Sequence, residues 1–470
     1  MSPRSKRKSG KMRQNVWIPV TLIFAVGGTA SYLLGQAGAY LPSGLCLMAA
    51  AVALFFVFYH RSRQFLDMEA LFSLFWLGGT GVSCLKLSRL ATEWTDTTWL
   101  CFALAYVGMI VGYEWLKAVQ ERKEKRMPEG ETAGKSEVGQ KIRRFHVPED
   151  PAEAAKRLKW CILVTTGVSL ACFVFEAAVL GFLPILSDKP HAYSEFHISG
   201  VHYFTITCVM VPALCVLYRE QICRMQGKLD KKHWLLMGIC SGIALLIPIC
   251  SVSRFQLIFS LVLAMIVWIR VSGKVKLKYI LILIAVMVPL YVGLTAARNH
   301  DVEYLNGIFE MKNENTPIFI TQPYMYIANN YDNFNCLVEQ LPAHTHGMRM
   351  AFPLIVFTGM KFVHPEWVNY PIYVTKTELT TVTLIYDAYY DFGVIGVAAF
   401  ALILGILCRA IARLAEKDSN PIAFLLYGQA ALYLMLSFFT TWYSNPTTWF
   451  WYGVTVLYAL VLAWPEKKRG

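Results

Sequence analysis

A single arginine interrupts a long apolar run in the middle of the chain. Arg254, in "ICSVSRFQLIF", is the only charged residue between Trp234 and Ile269. As one helix this run would be about 54 Å long, nearly twice the ~30 Å hydrocarbon core of a bilayer. The run is therefore predicted to form two membrane spans. The capping-box pattern "SRFQ", with Ser253 as N-cap and Gln256 three residues later, predicts that the second span begins at Arg254.

An arginine at the start of a helix is suited to binding phosphate. The guanidinium fork matches phosphate oxygens, and the N-terminal N–H groups add donors and a partial positive charge. Arg254, Arg298 and Arg349 all fall in segments predicted to lie outside the membrane, so we interpret them as candidate substrate-binding residues. The alternative is that these arginines contact lipid phosphates or acidic loop residues.

Acid–base chemistry is indicated by "YDAYYDFGVIG". If this stretch is helical, Asp387 and Asp391 lie one turn apart, and two nearby carboxylates tend to separate their pKa values, which suits one of them to act as a base. A compatible alternative is that Asp391 caps the span, while Gly393 and Gly396 permit close helix packing. His300, near the second of the candidate arginines, is a further acid–base candidate.

Four other residues are candidate substrate contacts. Glu176 lies well within a predicted span, and because an intramembrane carboxylate is costly, we expect it to face a polar cavity or to pair with an outer arginine. Tyr324, Tyr326 and Tyr390 present aromatic faces that suit stacking on sugars, and packing in the protein interior is the alternative.

These residues require a scaffold, and the composition predicts an all-α polytopic membrane protein. Of the 470 residues, 56% are hydrophobic and 16% are charged. With both termini in the cytoplasm, 35 of the 44 Lys and Arg residues fall on the cytoplasmic side, as expected from the positive-inside rule. About twelve spans are predicted, near 16–35, 41–59, 68–85, 97–116, 160–182, 203–218, 234–251, 254–270, 278–297, 392–409, 421–439 and 449–464.

The same distribution excludes several functional classes. The outer segments hold nine basic and fourteen acidic residues, so the net charge of +13 reflects membrane orientation, and no nucleic-acid partner is predicted. There is no phosphate-binding loop of the kind that hydrolyses ATP. The pair His344 and His346 is typical of a polar loop, and neither a metal nor a cofactor is predicted.

The predicted organisation is a single transmembrane domain with two long loops. The predicted parts are a basic cytoplasmic tail (1–15), the membrane domain (16–464), a flexible cytoplasmic loop (117–158), a catalytic or lid loop outside the membrane between helices 9 and 10 (298–390), and a cytoplasmic tail (465–470).

Four blocks of sequence resemble a known family. The stretches "GFLPILSDKPHAYSEFHISGVHYF", "SVSRFQLIF", "YMYIANNYDNF" and "YYDFGVIG" occur in the same order in bacterial oligosaccharide repeat-unit polymerases of the Wzy type, which build O-antigen and capsular polysaccharide. The resemblance covers residues 160 to 465.

The resemblance implies transfer of a growing glycan from undecaprenyl pyrophosphate to another lipid-linked repeat unit, at the outer face of the cytoplasmic membrane. It implies that Arg254 and Arg298 bind the pyrophosphate and that Asp391 or His300 takes the proton. The expected partners are the lipid-linked oligosaccharide, the bilayer, a chain-length regulator and a flippase. The alternatives are a transporter or flippase of lipid-linked oligosaccharide, and an O-antigen ligase.

Overall fold

The fold is helical throughout the part of the chain that the structure describes. This computed structural model describes residues 17–126, 151–187, 192–275, 302–417 and 420–464, with scattered positions between 278 and 293. Within these ranges there is no β-strand, and one β-bridge, between Ser88 and Met311, stands alone. The predicted all-α class is confirmed. The candidates Arg298 and His300 lie outside the described residues.

The helices are numbered in chain order. The first are α1 (Trp17–Gln36), α2 (Tyr40–Ser62), α3 (Met68–Phe72), α4 (Gly78–Cys84), α5 (Asp96–Lys125), α6 (Pro151–Leu180), α7 (Ala192–Glu195), α8 (Val201–Thr205) and α9 (Val211–Gln226). These are followed by α10 (Lys231–Cys250), α11 (Arg254–Ser272), α12 (Val302–Phe309), α13 (Ile318–Gln340), α14 (Phe352–Phe357), α15 (Met360–Val363), α16 (Tyr386–Lys417), α17 (Ile422–Met435) and α18 (Pro446–Ala463). A π-helical segment, Ser73–Leu77, joins α3 to α4.

Nine helices within the described ranges are long and apolar enough to cross a membrane: α1, α2, α5, α6, α8 continued through α9, α10, α11, α16 and α18. The predicted third span corresponds to α3, the π-helical segment and α4 in series. The predicted eleventh span corresponds to α17, an apolar helix of 14 residues. The predicted ninth span, 278–297, lies mostly outside the described residues. The polytopic architecture is confirmed, and the count of twelve spans stays a prediction.

Three long helices run in the same direction and define the two ends of the bundle. Near the last turn of α2, Arg61 pairs with Glu114 of α5 at 2.9 Å, and at the end of α16 Lys417 pairs with Glu124 of α5. The last turns of these helices therefore meet at one end, which we call the distal end, and their first turns lie at the other, which we call the site end. The basic residues predict that the distal end faces the cytoplasm.

Glycines bring α5 and α16 into backbone contact. A Cβ atom on Gly112 would lie 2.1 Å from the carbonyl oxygen of Leu402, and one on Gly405 would lie 2.1 Å from that of Met109. Gly108 and Gly112 are spaced by four residues, the spacing that lets membrane helices approach closely. The two helices therefore form a tightly packed pair that connects the two ends of the bundle.

A kink divides α16 near the site end. Gly393 has φ 62° and ψ −147°, a conformation strained for any residue with a side chain. A Cβ atom on Gly396 would lie 2.2 Å from the carbonyl oxygen of Ala388, across the same kink. The prediction that Gly393 and Gly396 permit packing between helices is therefore wrong, because both serve the bend. The short segment before the kink carries both candidate aspartates.

Both predicted loops contain more helix than expected. Helix α5 continues to Lys125 and α6 begins at Pro151, so the predicted linker of 117–158 is too long at both ends. Residues 127–150 lie outside the described ranges. The predicted outer loop of 298–390 contains α13, which packs against α4, α5 and α16. Its sequence is too polar for a membrane span, and it forms the interior of the site end instead.

Candidate active site

The candidate site is centred on an ion pair between Arg349 and Asp387. The Arg349 Nε atom donates to Asp387 Oδ1 at 2.6 Å, and the Ser444 hydroxyl donates to the other carboxylate oxygen. The guanidinium lies 4.6 Å from the ring centre of Tyr390 and 5.8 Å from that of Tyr386. The structure thus brings together the predicted residues Arg349, Asp387 and Tyr390.

The Arg349 guanidinium retains donor capacity. Within the described part of the chain, Asp387 is its only hydrogen-bond partner, and the side chain is 18% exposed. Burial lowers the pKa of Arg349, but the neighbouring Asp387 charge and its hydrogen bond outweigh this effect, so the pKa is raised. The group therefore stays cationic, and its terminal nitrogens are available for an anionic ligand.

Asp391 holds the segment that carries Arg349. Its carboxylate accepts hydrogen bonds from the backbone N–H groups of Arg349 at 3.1 Å and Met350 at 2.8 Å, and from the Thr345 hydroxyl. The backbone N–H of His346 also donates to the Asp391 carbonyl at 3.1 Å. Asp391 is fully buried, and both carboxylate oxygens are occupied. The prediction of Asp391 as the base is therefore not supported, and its contacts give it a positioning role.

Arg254 lies at the start of α11, as predicted. Its Nη2 atom donates to the Tyr326 hydroxyl at 3.3 Å, and the side chain is buried, with 6% of its surface exposed. The predicted helix start is confirmed, but the capping box is wrong, because the Ser253 side chain makes no capping hydrogen bond. Tyr326 is the second predicted tyrosine that the structure places beside a candidate arginine.

One loop, residues 436–445, contacts a residue next to each of the two arginines. Its Ser444 bonds to Asp387, the partner of Arg349, while its Trp442 stacks on Phe255 with ring centres 5.7 Å apart. Phe255 follows Arg254 directly in the sequence. The same aromatic loop therefore contacts the partner of Arg349 and the sequence neighbour of Arg254, at the site end of the bundle.

Buried amides and an acid on α13 fix the loops around the site. Asp332 accepts from Lys86 at 2.5 Å, and Asn333 donates to the carbonyl oxygens of Leu379 at 2.7 Å and Thr381 at 2.8 Å. Burial raises the pKa of Asp332, although Lys86 opposes the shift. Further contacts come from Asn330, which donates to the Phe438 carbonyl oxygen, and from Asn335, which accepts from the Thr95 N–H.

The amides of α13 were missed by sequence reasoning, which considered only the tyrosines of "YMYIANNYDNF". A sequence signal was present. Five amide or acidic side chains occur within seven residues, at Asn329, Asn330, Asp332, Asn333 and Asn335. So many buried polar groups require partners from other segments.

Tyr324 and Glu176 are structural rather than open to a ligand. Tyr324 is buried, its hydroxyl accepts from the Leu87 N–H at 2.8 Å, and burial raises its pKa. Its ring therefore packs in the interior, which was the alternative, and the predicted stacking on sugars is not supported. Glu176 is fully buried and accepts from Thr205 at 2.7 Å and from His202 at 3.1 Å. Its partners come from the neighbouring segment rather than from an outer arginine, so the predicted substrate contact is not supported.

The described residues contain no group of three or more His, Cys, Asp or Glu side chains placed to hold a metal ion. The site therefore consists of cationic, carboxylate, hydroxyl and aromatic groups. A helical bundle with nine membrane-spanning candidates in the described ranges, and such a site at one end, defines a polytopic membrane protein.

Comparison with known protein families identifies the kind of polytopic membrane protein to which this chain belongs. Residues 80–441 match the family model described as "Putative O-antigen polymerase". The match covers most of the chain and includes both arginines of the site, so the chain belongs to this family, and it is a multi-pass membrane protein with a polymerase role in polysaccharide synthesis. No curated protein and no solved structure matches the chain.

Proposed function

We propose that this polymerase transfers a growing glycan from undecaprenyl pyrophosphate to a hydroxyl group at the non-reducing end of another lipid-linked repeat unit. The observation that carries the proposal is Arg349, a partly buried cation whose Nε is held by Asp387 and whose terminal nitrogens remain available. Arginine forks bind phosphate oxygens in this manner. The family match supports the proposal, since residues 80–441 include Arg254, Arg349 and Asp387.

The reaction breaks the bond between the anomeric carbon and the pyrophosphate oxygen and forms a bond between that carbon and the acceptor hydroxyl oxygen. The bonding electron pair leaves with the pyrophosphate. We propose that Arg349 and Arg254 stabilise the negative charge that develops on this leaving group. The hydroxyl proton passes to Asp387. When the terminal nitrogens of Arg349 bind the phosphates, its positive charge is shared between the phosphates and Asp387. The ion pair is then weaker, and a carboxylate with a weaker counter-ion accepts a proton more readily.

Asp391 is a positioning residue in this scheme. It holds the backbone N–H groups of Arg349 and Met350, so the guanidinium is placed before substrate arrives. Preorganised charge of this kind needs no rearrangement during the reaction. Tyr390 lies beside Arg349 and Tyr326 beside Arg254. We propose that these two tyrosines contact the groups of the substrate that adjoin its phosphates.

We place the reaction at the outer face of the cytoplasmic membrane. The distribution of basic residues supports this orientation, since it assigns the site end to the outside. Substrate would then be delivered by a flippase, and product length would be set with a chain-length regulator; both are proposed partners.

The test is deletion of the gene in its host, with surface and lipid-linked glycans resolved by size. Single repeat units with loss of the polymer ladder are expected, and complementation with the intact gene should restore the ladder. Lipid-linked units trapped in the cytoplasmic leaflet would instead indicate a flippase. Polymer that accumulates on the lipid carrier would indicate a ligase, and either result would overturn the proposal.

A further inference from the structure

An apolar surface lies shortly after Arg349, on a segment too short to cross the membrane. Helices α14 and α15 contain six and four residues, far fewer than the about 20 that a transmembrane helix needs. Four large apolar side chains on them are nevertheless between 46% and 73% exposed: Leu354, Phe357, Phe362 and Val363. Exposed apolar side chains that lie close together mark surfaces that contact a membrane or another protein. We call residues 352–363 the apolar segment.

Aromatic contacts connect the apolar segment to the lipid-facing surface. Helix α14 packs against α18, and the ring centre of Phe357 lies 5.9 Å from that of Tyr203. Tyr203 stacks on Phe450 of α18 at 5.4 Å, and Phe450 contacts Phe204 at 5.0 Å. Phe204 is exposed on one of the membrane-spanning candidates. The apolar segment therefore adjoins a surface that lipid covers.

The same contacts indicate the depth of the segment in the bilayer. Helix α18 begins beside the candidate site, since Ser444, two residues before it, bonds to Asp387. Phe450 is the fifth residue of α18, about 6 Å from its start at ~1.5 Å per residue. Interfacial helices bury their apolar faces by about 5–10 Å, at the boundary between headgroups and acyl chains. The apolar segment lies at the level of this boundary.

The neighbouring side chains are typical of a membrane interface. The Lys361 Nζ atom lies 4.7 Å from the ring centre of Phe362, and Trp367 stacks on His364 at 4.3 Å. Tryptophan and long basic side chains favour the interface, because each has an apolar part and a polar end. Residues 350–368 contain one lysine and one glutamate, so their charges balance. Insertion of apolar groups, rather than attraction to anionic lipids, therefore suits this segment.

The backbone couples the apolar segment to Arg349. The Phe352 N–H donates to the Arg349 carbonyl oxygen at 3.2 Å, and the Ile355 N–H donates to that of Ala351 at 3.1 Å. On the other side, the Arg349 N–H donates to the Asp391 carboxylate. The arginine is thus held between a buried carboxylate and the start of the apolar segment. The depth of α14 in the bilayer therefore bears on the position of the guanidinium.

We propose that the apolar segment inserts into the lipid leaflet at the site end and that this anchor holds Arg349 at the level of the lipid phosphates. The partner is the boundary between headgroups and acyl chains, whatever the charge of the headgroups. The membrane contact does not depend on the proposed reaction, whereas its effect on polymerisation rests on that function.

The test is photo-crosslinking of the full-length protein in lipid nanodiscs. Three variants carry p-benzoylphenylalanine, in place of Phe362, of Phe56 on the lipid-facing side of α2, or of Asn315 on an exposed polar turn. Mass spectrometry should find lipid adducts at position 362 about as often as at 56, and only background at 315. The yield at 362 should be equal in phosphatidylcholine nanodiscs with and without phosphatidylglycerol.

Two outcomes would overturn the membrane contact. Crosslinked dimers at position 362 would assign the surface to a second copy of the chain. A yield of lipid adducts no higher than that at position 315 would show that the segment faces water. Neither measurement needs turnover, so the result stands even if the proposed reaction is wrong.

A substitution tests the effect on Arg349. Burial of one phenylalanine side chain corresponds to a factor of about 10–100 in an equilibrium, so Phe362→Asp should lower polymerisation by about tenfold or more. Phe362→Leu should retain most activity, and Asn315→Asp is the control for an added charge. Because Phe362 is exposed, the midpoint of thermal unfolding in detergent should not change. Full polymerisation by Phe362→Asp would overturn the role of the anchor in placing Arg349.

Discussion

Replacement of Arg349 separates its role in stability from its role in binding. Arg349→Gln leaves Asp387 buried, with Ser444 as its remaining side-chain donor. Removing one partner of a buried ion pair costs about 3–5 kcal/mol, and the partial exposure of Arg349 places the expected loss near the lower end, about 3 kcal/mol. The double variant Arg349→Gln/Asp387→Asn removes the uncompensated charge and should recover most of this stability.

Activity should not recover with stability, because the double variant lacks both the guanidinium and the proposed base, Asp387, so the contribution of Arg349 is measured on its single variants. Two charge-assisted hydrogen bonds from the guanidinium to phosphate contribute about 1.5–3 kcal/mol each, so their loss corresponds to roughly 10²–10⁴-fold in rate. Arg349→Lys keeps the charge but loses the fork, and a loss of about 10–100-fold is expected. Arg89→Gln is the matched control, because Arg89 forms an exposed pair with Glu314 at the same end of the molecule and should leave polymer formation unchanged.

Two measurements on the same preparations decide whether Arg349 acts in stability alone or also in polymerisation. The first is the midpoint of thermal unfolding in detergent, and the second is the initial rate of polymer formation in membranes supplied with lipid-linked repeat units. If the double variant recovered both stability and polymerisation, Arg349 would be structural only. Unchanged polymerisation by Arg349→Lys would refute the requirement for a bidentate fork.

Three further substitutions probe the scaffold. Gly405→Ala should destabilise the protein by several kcal/mol in thermal unfolding, because its Cβ would lie 2.1 Å from the Met109 carbonyl oxygen. Lys86→Met should lower the free energy of unfolding by about 3–5 kcal/mol, because Asp332 is left without its cation. Burial raises the pKa of Asp332, so uptake of a proton by this carboxylate favours the folded state. The loss of stability should therefore become smaller as the pH falls. Asp391→Ala should release two backbone N–H groups and lower the polymerisation rate about tenfold or more, and intact activity would contradict its positioning role.

The membrane architecture was predictable because it depends on local composition. The division of the apolar run into two spans followed from helix length against bilayer thickness. The start of α11 at Arg254 was predicted from the capping-box pattern, and the structure has it at that residue although the Ser253 side chain does not cap it. The helix bounds of α2, α10 and α18 also lie within a few residues of the predicted spans. Apolar runs and the positions of charges carry this information directly in the sequence.

The site was predictable only in part, because its contacts are not local. Sequence reasoning identified Arg349, Asp387 and Asp391, but the spacing of the aspartates suggested that the two carboxylates influence each other directly and that one of them acts as the base. In the structure they have separate partners, since Asp387 faces the guanidinium and Asp391 faces the backbone N–H of the same residue. The pairing of Lys86 with Asp332 joins positions 246 residues apart, a distance at which no pattern in the sequence indicates contact.

The way in which α13 holds the surrounding loops has a consequence for how such a protein can diverge. Asn333 binds the carbonyl oxygens of Leu379 and Thr381, and Asn330 binds that of Phe438. Every residue type supplies a backbone carbonyl, so these loops can exchange their side chains while their paths stay fixed. A chain built in this way can acquire preferences for new sugars by point substitutions in its loops, without rebuilding the frame that supports them.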